Sequence, residues 1–327
     1  MRHCVRIRLG MVEVRENTLG GSVGPVQATQ YRKATRGLRR YIGSYLLVAP
    51  SFVLLCVLVV YPLADAFYLS FTDASFIRPI PEWVGVRNYH DAVVSDTFWK
   101  VFTNSILWTV VVVVCQFLLG LATGVLLAQK LRIRSVMRAL VIVPWVMPGV
   151  IAAILWKLMY DPYLGLVNKI LMTVHLVDGF VAWLAQPETS LPAIIVAAIW
   201  KGTPFSTLMY LAAYQNVPAD LLDAARIDGA SRWQRFIYVA FPEMLPTIRT
   251  TILLTTIWTF NYFDLVYVMT RGGPGYASHI FPTYTYELAF AKALQGEAAA
   301  YGMIGTAIML IFSILYIREI NRRGGLD

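Results

Sequence analysis

The sequence predicts an all-α integral membrane protein with six spanning helices. Three observations predict it. The 327 residues are 57% hydrophobic and only 14% charged, whereas a soluble domain is about half apolar and about a quarter charged. The apolar excess is also blocked. Charge-free runs cover Tyr41–Ala64, Val101–Gln129, Ala139–Trp156 and Ala298–Ile317, and two more, Thr189–Ala219 and Thr250–Thr270, carry only Lys201 and Asp264 respectively. Each is close to or above the roughly 18–20 residues that cross a bilayer as a helix. Finally, 20 of the 28 Lys and Arg residues fall in the segments that alternate topology places on one side: the first forty residues, the stretch after the second run, the loop before the fifth run, and the C-terminus. Basic residues resist translocation, so that side is cytoplasmic and both termini lie inside.

Residues 1–40 are basic, contain glycine and show no apolar period; they are expected to form a cytoplasmic tail without ordered structure. The first apolar run begins too late and runs too long for a secretory signal. The permease domain is expected over 41–320, with spans near 43–71, 103–128, 137–159, 191–214, 247–270 and 299–318. A short cytoplasmic tail, 321–327, follows. In the second span Gly120 and Gly124 form a G-x-x-x-G, which permits close helix contact. Pro144 and Pro148 predict a bent third span. Gly272, Gly273 and Pro274 predict a tight outer turn after the fifth. Cys4, Cys56 and Cys115 have no disulfide or metal spacing. His3, His90, His175 and His279 are scattered over tail and outer loops. No metal site, no catalytic set and no nucleic-acid binding is expected, since topology accounts for the +9 net charge.

The loop 215–246 is polar among apolar spans. It contains "LLDAARIDGASRWQRFIYVAFPEMLP", Leu221 to Pro246. Pro218 suits a first helical position. Asp220 and Asp223 then favour the positive end of the helix dipole. Leu221, Ala224, Ala225 and Asp228 recur at three- and four-residue spacing and share a face. Gly229 falls where a left-handed C-terminal cap is wanted. Ser231 and Gln234 form a capping-box pattern for a second helix, which Pro242 is expected to end. The loop therefore reads as a compact helical elbow. Its narrow alanine face fits either a partner groove or the lipid headgroups.

This elbow resembles the signature of the membrane subunits of binding-protein-dependent ABC importers. That signature is Glu-Ala-Ala, three residues, Gly, nine residues, then aliphatic, any, large apolar, Pro. Here it reads Asp223-Ala224-Ala225, Gly229 and Val239-Ala240-Phe241-Pro242, with every spacing kept. Asp223 stands for the usual glutamate, and Val and Phe for Ile and Leu. "VGVRNYHDAVVSDTFWKVFTNS" (84–105), "WKGTPF" (200–205), "IDGAS" (227–231) and "RGGPGYAS" (271–278) are similar to segments of the maltose-type carbohydrate importers. The resemblance covers about residues 43–320.

The resemblance implies the type I ABC importer permease fold. It also implies a coupling helix, Leu221, Asp223, Ala224, Ala225, Asp228 and Gly229, that docks into a cytoplasmic ATPase. The implied assembly holds this chain, a second permease, two ATP-binding subunits and an extracytoplasmic solute-binding protein, in a bacterial inner membrane. ATP and magnesium belong to the ATPase subunits; the chain shows no G-x-x-x-x-G-K-[ST] loop of its own and no enzymatic set. The maltose-type permeases hold sugar at positions matching Gly202, Phe205, Trp258, Thr259 and Tyr262, with Thr259 in place of the usual asparagine.

The residues themselves offer Gly202, Thr203 and Phe205 on the fourth span, and Trp258, Thr259, Asn261 and Tyr262 on the fifth, as stacking and hydrogen-bonding groups for sugar. Pro204 is expected to break the fourth helix locally and free carbonyls. Lys201 and Asp264, about 15 Å and 9 Å deep at 1.5 Å per residue, are costly charges that face a cavity, a tether or one another. Two other readings fit a chain of this class. One is an ion-coupled secondary carrier acting alone, for which only Asp264 qualifies as a coupling carboxylate and no internal repeat is present. The other is an ABC permease for amino acids or peptides.

Overall fold

The computed structural model describes residues 37–77, 80–129 and 132–324, with side chains from 45 to 322; the expected N-terminal tail lies almost wholly outside the described residues. Among them the regular structure is helical, with two isolated β-bridges, Thr72 to Trp83 and Ser75 to Leu294. Five helical stretches are long and apolar enough to cross a membrane: Tyr45–Leu69, Asp96–Ala128, Pro187–Gln215, Arg232–Thr270 and Gln295–Arg322. The pair α5 (Arg134–Val146) and α6 (Gly149–Met159) is together long and apolar enough for a sixth span and is bent by 98°. The bend predicted from Pro144 and Pro148 is present, and Pro148 caps α6 at the break.

The described residues up to Cys56 belong to a unit separate from the rest. It contains α1 (Gly37–Leu55), whose described side chains from Tyr45 to Leu55 are all exposed. The second unit begins at Val57. There α2 (Tyr61–Leu69) leads to α3 (Arg87–Val94) and α4 (Asp96–Ala128). The buried Asn88 of α3 donates to Ser70 O at 2.9 Å and Thr72 O at 2.8 Å, pinning the outer connection. Short α7 (Leu166–Thr173) precedes α8 (Pro187–Gln215).

The tightest helix pair is α4 with α8, and glycine makes it possible. A Cβ on Gly120 would fall 2.5 Å from Ser206 Cβ, and one on Gly124 would fall 2.9 Å from the Thr207 carbonyl oxygen. Thr123 and Thr207 hydroxyls meet across the same seam at 2.6 Å. In lipid no hydrophobic force drives helices together, so such backbone approach and hydroxyl pairing hold them.

The elbow consists of α9 (Ala219–Ile227) and α10 (Arg232–Arg235). It continues through a π turn, Phe236–Ala240, into α11 (Phe241–Phe260) and then α12 (Asp264–Thr270). Pro242 therefore does not end the second elbow helix. The wide turn directs Phe241 N–H to Phe236 O, and the proline sits in the first turn of α11, where its missing N–H is tolerated. The same device precedes Pro62, with a π turn at Cys56–Val60. Pro204 likewise fails to break α8, which runs unbroken through it. One turn before it, Thr203 Oγ1 donates to Ile199 O at 2.6 Å and Gln116 Nε2 of α4 to Ala198 O at 3.1 Å, bonds that tie this part of α8 down.

The outer segment contains α13 (Phe281–Tyr286) and a π turn, Glu287–Ala291, before α14 (Gln295–Gly324). The turn 271–278 is tight, as expected. Gly272 has φ +84° and lies on the His279 ring, leaving no room for a side chain. Lys100 Nζ donates to Gly275 O at 2.8 Å and Asn104 Nδ2 to Ala277 O at 3.0 Å, so the turn is fastened to α4. Beneath it the buried His279 meets Glu287 at 2.7 Å. Burial holds the His279 imidazole below its ordinary pKa, against the opposing pull of the Glu287 carboxylate.

Candidate functional site: an elbow joined to a polar cavity wall

The elbow is built as its sequence dictates. Asp220 lies in the first turn of α9 and Arg226 in the last, both complementing the helix dipole. Pro218 is the N-cap residue, one position earlier than expected. Gly229 takes φ +80°. Its N–H reaches Arg226 O at 3.2 Å, and Ala230 N–H reaches Ala225 O at 2.9 Å. These two bonds form a Schellman motif and satisfy carbonyls that would otherwise be orphaned. The capping box is also present: Ser231 N–H donates to Gln234 Oε1 at 2.8 Å, and Gln234 N–H to Ser231 Oγ at 3.3 Å. Leu221, Asp223, Ala224, Asp228 and Gly229 are exposed, while Ala225 is half-buried. Ile227 was not singled out from sequence, yet it is 86% exposed beside Gly229. Its apolar side chain next to a helix stop was the available signal.

The elbow's second helix is continuous with the fifth span. Arg232–Thr270 runs 39 residues, about 58 Å at 1.5 Å per residue, which is roughly twice the hydrocarbon thickness. One end of it must project beyond the bilayer. The face of α8 and α11 deeper in the bundle bounds a cavity of about 140 Å³. Of the residues singled out in the sequence, Lys201, Gly202, Phe205, Trp258, Thr259 and Tyr262 line it. Thr203, Asn261 and Asp264 do not. Thr203 spends its hydroxyl on Ile199 O, and Asn261 caps α11 by donating to Ile257 O at 2.9 Å.

Other lining residues were missed: Trp108, Gln116, Trp145 and Thr255 among them. Gln116 was findable as an amide in the middle of the charge-free run Val101–Gln129. Trp108 gave no signal, because its role depends on α4 crossing α11, where its Nε1 donates to Thr259 O at 2.8 Å. The wall is aromatic and tightly set. Phe205 and Trp258 meet edge-on at 4.9 Å between centroids, Trp145 lies 6.0 Å from Phe205, and Trp258 is 50% exposed. A Cβ on Gly202 would collide with the Gln116 amide.

Lys201 and Asp264 do not form an ion pair within 4.0 Å. Each instead addresses the break in the third span. Lys201 Nζ donates to Met147 O at 2.8 Å, a carbonyl exposed by the missing helical turn before Pro148. The Asp264 carboxylate faces the start of α6, where a Cβ on Gly149 would come 2.5 Å from its Oδ2. That helix end is positive and accommodates the anion. Lys201 thus tethers the bent span, and Asp264 lies against the start of its second half. Lys201→Met should lower the melting temperature of the purified protein by leaving the Met147 carbonyl unpaired; a charged hydrogen bond is worth about 1.5–3 kcal/mol. An unchanged melting temperature would remove the tether from the account.

Residues 116–320 match the family described as binding-protein-dependent transport system inner membrane component. The chain belongs to this family. The permease is 34% identical over 290 residues to the trehalose/maltose transport system permease protein MalF of Thermococcus litoralis, covering 88% of this chain and 95% of that one. It is 30% identical over 279 residues to the sulfoquinovosyl glycerol transport system permease protein SmoG of Agrobacterium fabrum, covering 85% and 90%. Its fold is similar to that of a bacterial ABC transporter involved in the import of the acidic polysaccharide alginate, with a TM-score of 0.77 at 22% identity, covering 88% of this chain and 98% of that one. The permease is therefore a multi-pass inner-membrane transport subunit with the type I ABC importer fold, and it works with partner subunits in a binding-protein-dependent system.

Proposed function

We propose that the chain is one permease subunit of an ATP-driven bacterial sugar importer and supplies half of the translocation pathway. The observation that carries this reading is the unbroken helical connection from the exposed elbow to the aromatic wall. A push on α9 and α10 is delivered through α11 to Thr255, Trp258 and Thr259 without an intervening flexible loop. Rigid-body motion of a docked helix is an established way to switch a bundle between two arrangements. The elbow, Leu221 to Gly229, seats in a cytoplasmic ATPase, and both termini share its side of the membrane. ATP and magnesium are held by two partner ATPase subunits.

A cavity of about 140 Å³ is below the roughly 300 Å³ that small-molecule sites begin at. A second permease facing this wall would complete the site, and an external binding protein would deliver the ligand. Aromatic faces beside amide and hydroxyl groups suit a sugar, and two relatives are named for sugar cargo. Trp258→Ala should reduce sugar uptake about tenfold, the worth of losing one stacking partner, with unaltered subunit abundance. The overall reading is tested in vesicles holding the complete transporter, the binding protein and internal ATP. Sugar should accumulate with proton and sodium gradients collapsed. Accumulation by this chain without an ATPase partner would establish a secondary carrier instead.

A further inference from the structure

A cavity of about 1020 Å³ lies away from the aromatic wall, where the end of α4 nearest Gln129 meets the elbow. One side is apolar: Leu118, Leu121, Ala122 and Val125 of α4. These belong to a 33-residue apolar span, and Leu118 is 55% exposed, so the wall is open sideways to lipid. The other side is cationic, formed by Arg226 at the end of α9 and by Arg232 and Arg235 of α10. Trp233 stands with them, 68% exposed.

Among the described residues no carboxylate lines this cavity. Among the described residues none of the three guanidinium groups makes a hydrogen bond or an ion pair, and Arg235 Nε is shut off from solvent with no acceptor. An unsatisfied donor on a permanent cation is costly, more so than on a neutral group. The groove therefore presents an anion site joined to an apolar trough at membrane depth. A single ligand with an anionic head and a hydrocarbon body would satisfy both halves.

We infer that this groove binds an anionic phospholipid. Its phosphate lies among Arg226, Arg232 and Arg235, and an acyl chain runs along Leu118 to Val125. The planar guanidinium fork matches phosphate oxygens, and three such groups converge here. The exposed Trp233 suits the headgroup level, where indole rings concentrate. The asymmetry of Lys and Arg places the elbow on the cytoplasmic side, whose leaflet carries anionic headgroups. The lipid would brace the elbow against α4. This site is independent of which solute is carried.

The test uses the complete transporter, with its partner subunits, in phosphatidylcholine vesicles containing a photoreactive phosphatidylglycerol tracer. Labelling is expected within residues 118–129 and 226–236. The variant Arg226→Gln/Arg232→Gln/Arg235→Gln should be labelled at least about tenfold less there, as each basic residue adds to headgroup attraction. A photoreactive phosphatidylcholine tracer should label both proteins weakly and equally. The proposal is overturned if the triple variant is labelled as strongly as the wild type, if phosphatidylcholine labels as well as phosphatidylglycerol, or if a cross-linker at Ala122→Cys captures a partner subunit. Should the triple variant fail to assemble, Ala122→Trp keeps every charge and fills the trough. It must lower the phosphatidylglycerol labelling, and undiminished labelling overturns the proposal.

Discussion

Replacing Gly229 with proline is expected to abolish uptake while the subunit still reaches the membrane in normal amount. Three physical losses coincide at this position. Gly229 holds φ +80°, and proline locks φ near −65°. Its N–H closes the turn on Arg226 O at 3.2 Å, and proline has none. The following residue, Ala230, then cannot keep its bond to Ala225 O. The Schellman closure fails, and α9 loses its fixed direction relative to α10. None of these atoms lies in a span or a core cluster, so insertion and bundle packing are left intact. Gly229→Ala separates conformation from contact. No atom stands within 4 Å of the added Cβ, so the penalty is only the left-handed backbone, about 1–2 kcal/mol, and most uptake should survive. The check is uptake by cells alongside immunoblots of the membrane fraction. Wild-type transport by the proline variant would mean that elbow rigidity is not what couples the two ends of α10–α11.

Replacing Gly124 with leucine is expected to cost the folded bundle itself. A Cβ there would fall 2.9 Å from Thr207 O and 3.0 Å from Leu211 N. Both are backbone atoms of α8, which cannot rotate away as a side chain can. The helices must separate, and the Thr123–Thr207 hydroxyl contact at 2.6 Å goes with them. Overpacking costs about 1–3 kcal/mol where side chains can yield, and more where backbone opposes backbone. Against a total stability of about 5–15 kcal/mol, that is a large share. Size-exclusion chromatography in detergent should show aggregated protein and little monodisperse subunit. Gly302→Ala is the control. The nearest atom to its Cβ, Thr285 Cγ2, is 3.8 Å away, and alanine for a helical glycine should stabilise by about 0.5–1 kcal/mol. If Gly124→Leu behaved like Gly302→Ala, backbone contact across the α4–α8 seam would not limit the size of residue 124.

Much of this protein was legible before its structure because its signals are local. An unbroken apolar run must be a helix in lipid, where every backbone polar group needs a partner within its own segment. The elbow is equally local. Gly229 and the Ser231–Gln234 pair specify a stop and a start within six residues, and both occur as written. The cysteines and most histidines carried no message, and His279 became informative only where the chain buried it against Glu287.

The errors also share a cause. Pro204 and Pro242 read as helix breakers because a proline's effect was judged on its own segment. In the fold a π turn receives Pro242, polar side chains of α4 and α8 tie down the turn before Pro204, and both helices continue. For Lys201 and Asp264 a cavity, a tether and a mutual pair all stayed open in the sequence, and only the fold turns Lys201 to the Met147 carbonyl of the broken third span. Gln116 and Trp108 entered the cavity wall only through the crossing of α4 with α8 and α11.

The sequence by itself determined the position of the apolar spans and the shape of the elbow's turn. These depend on hydration of single segments and on backbone conformations that only particular residues tolerate. The tertiary structure alone decided which polar groups meet, where the aromatic wall forms, and that the elbow and that wall share one continuous helix. Such relations join residues far apart in the chain, and no periodicity within a segment encodes the face that a neighbouring helix will cover.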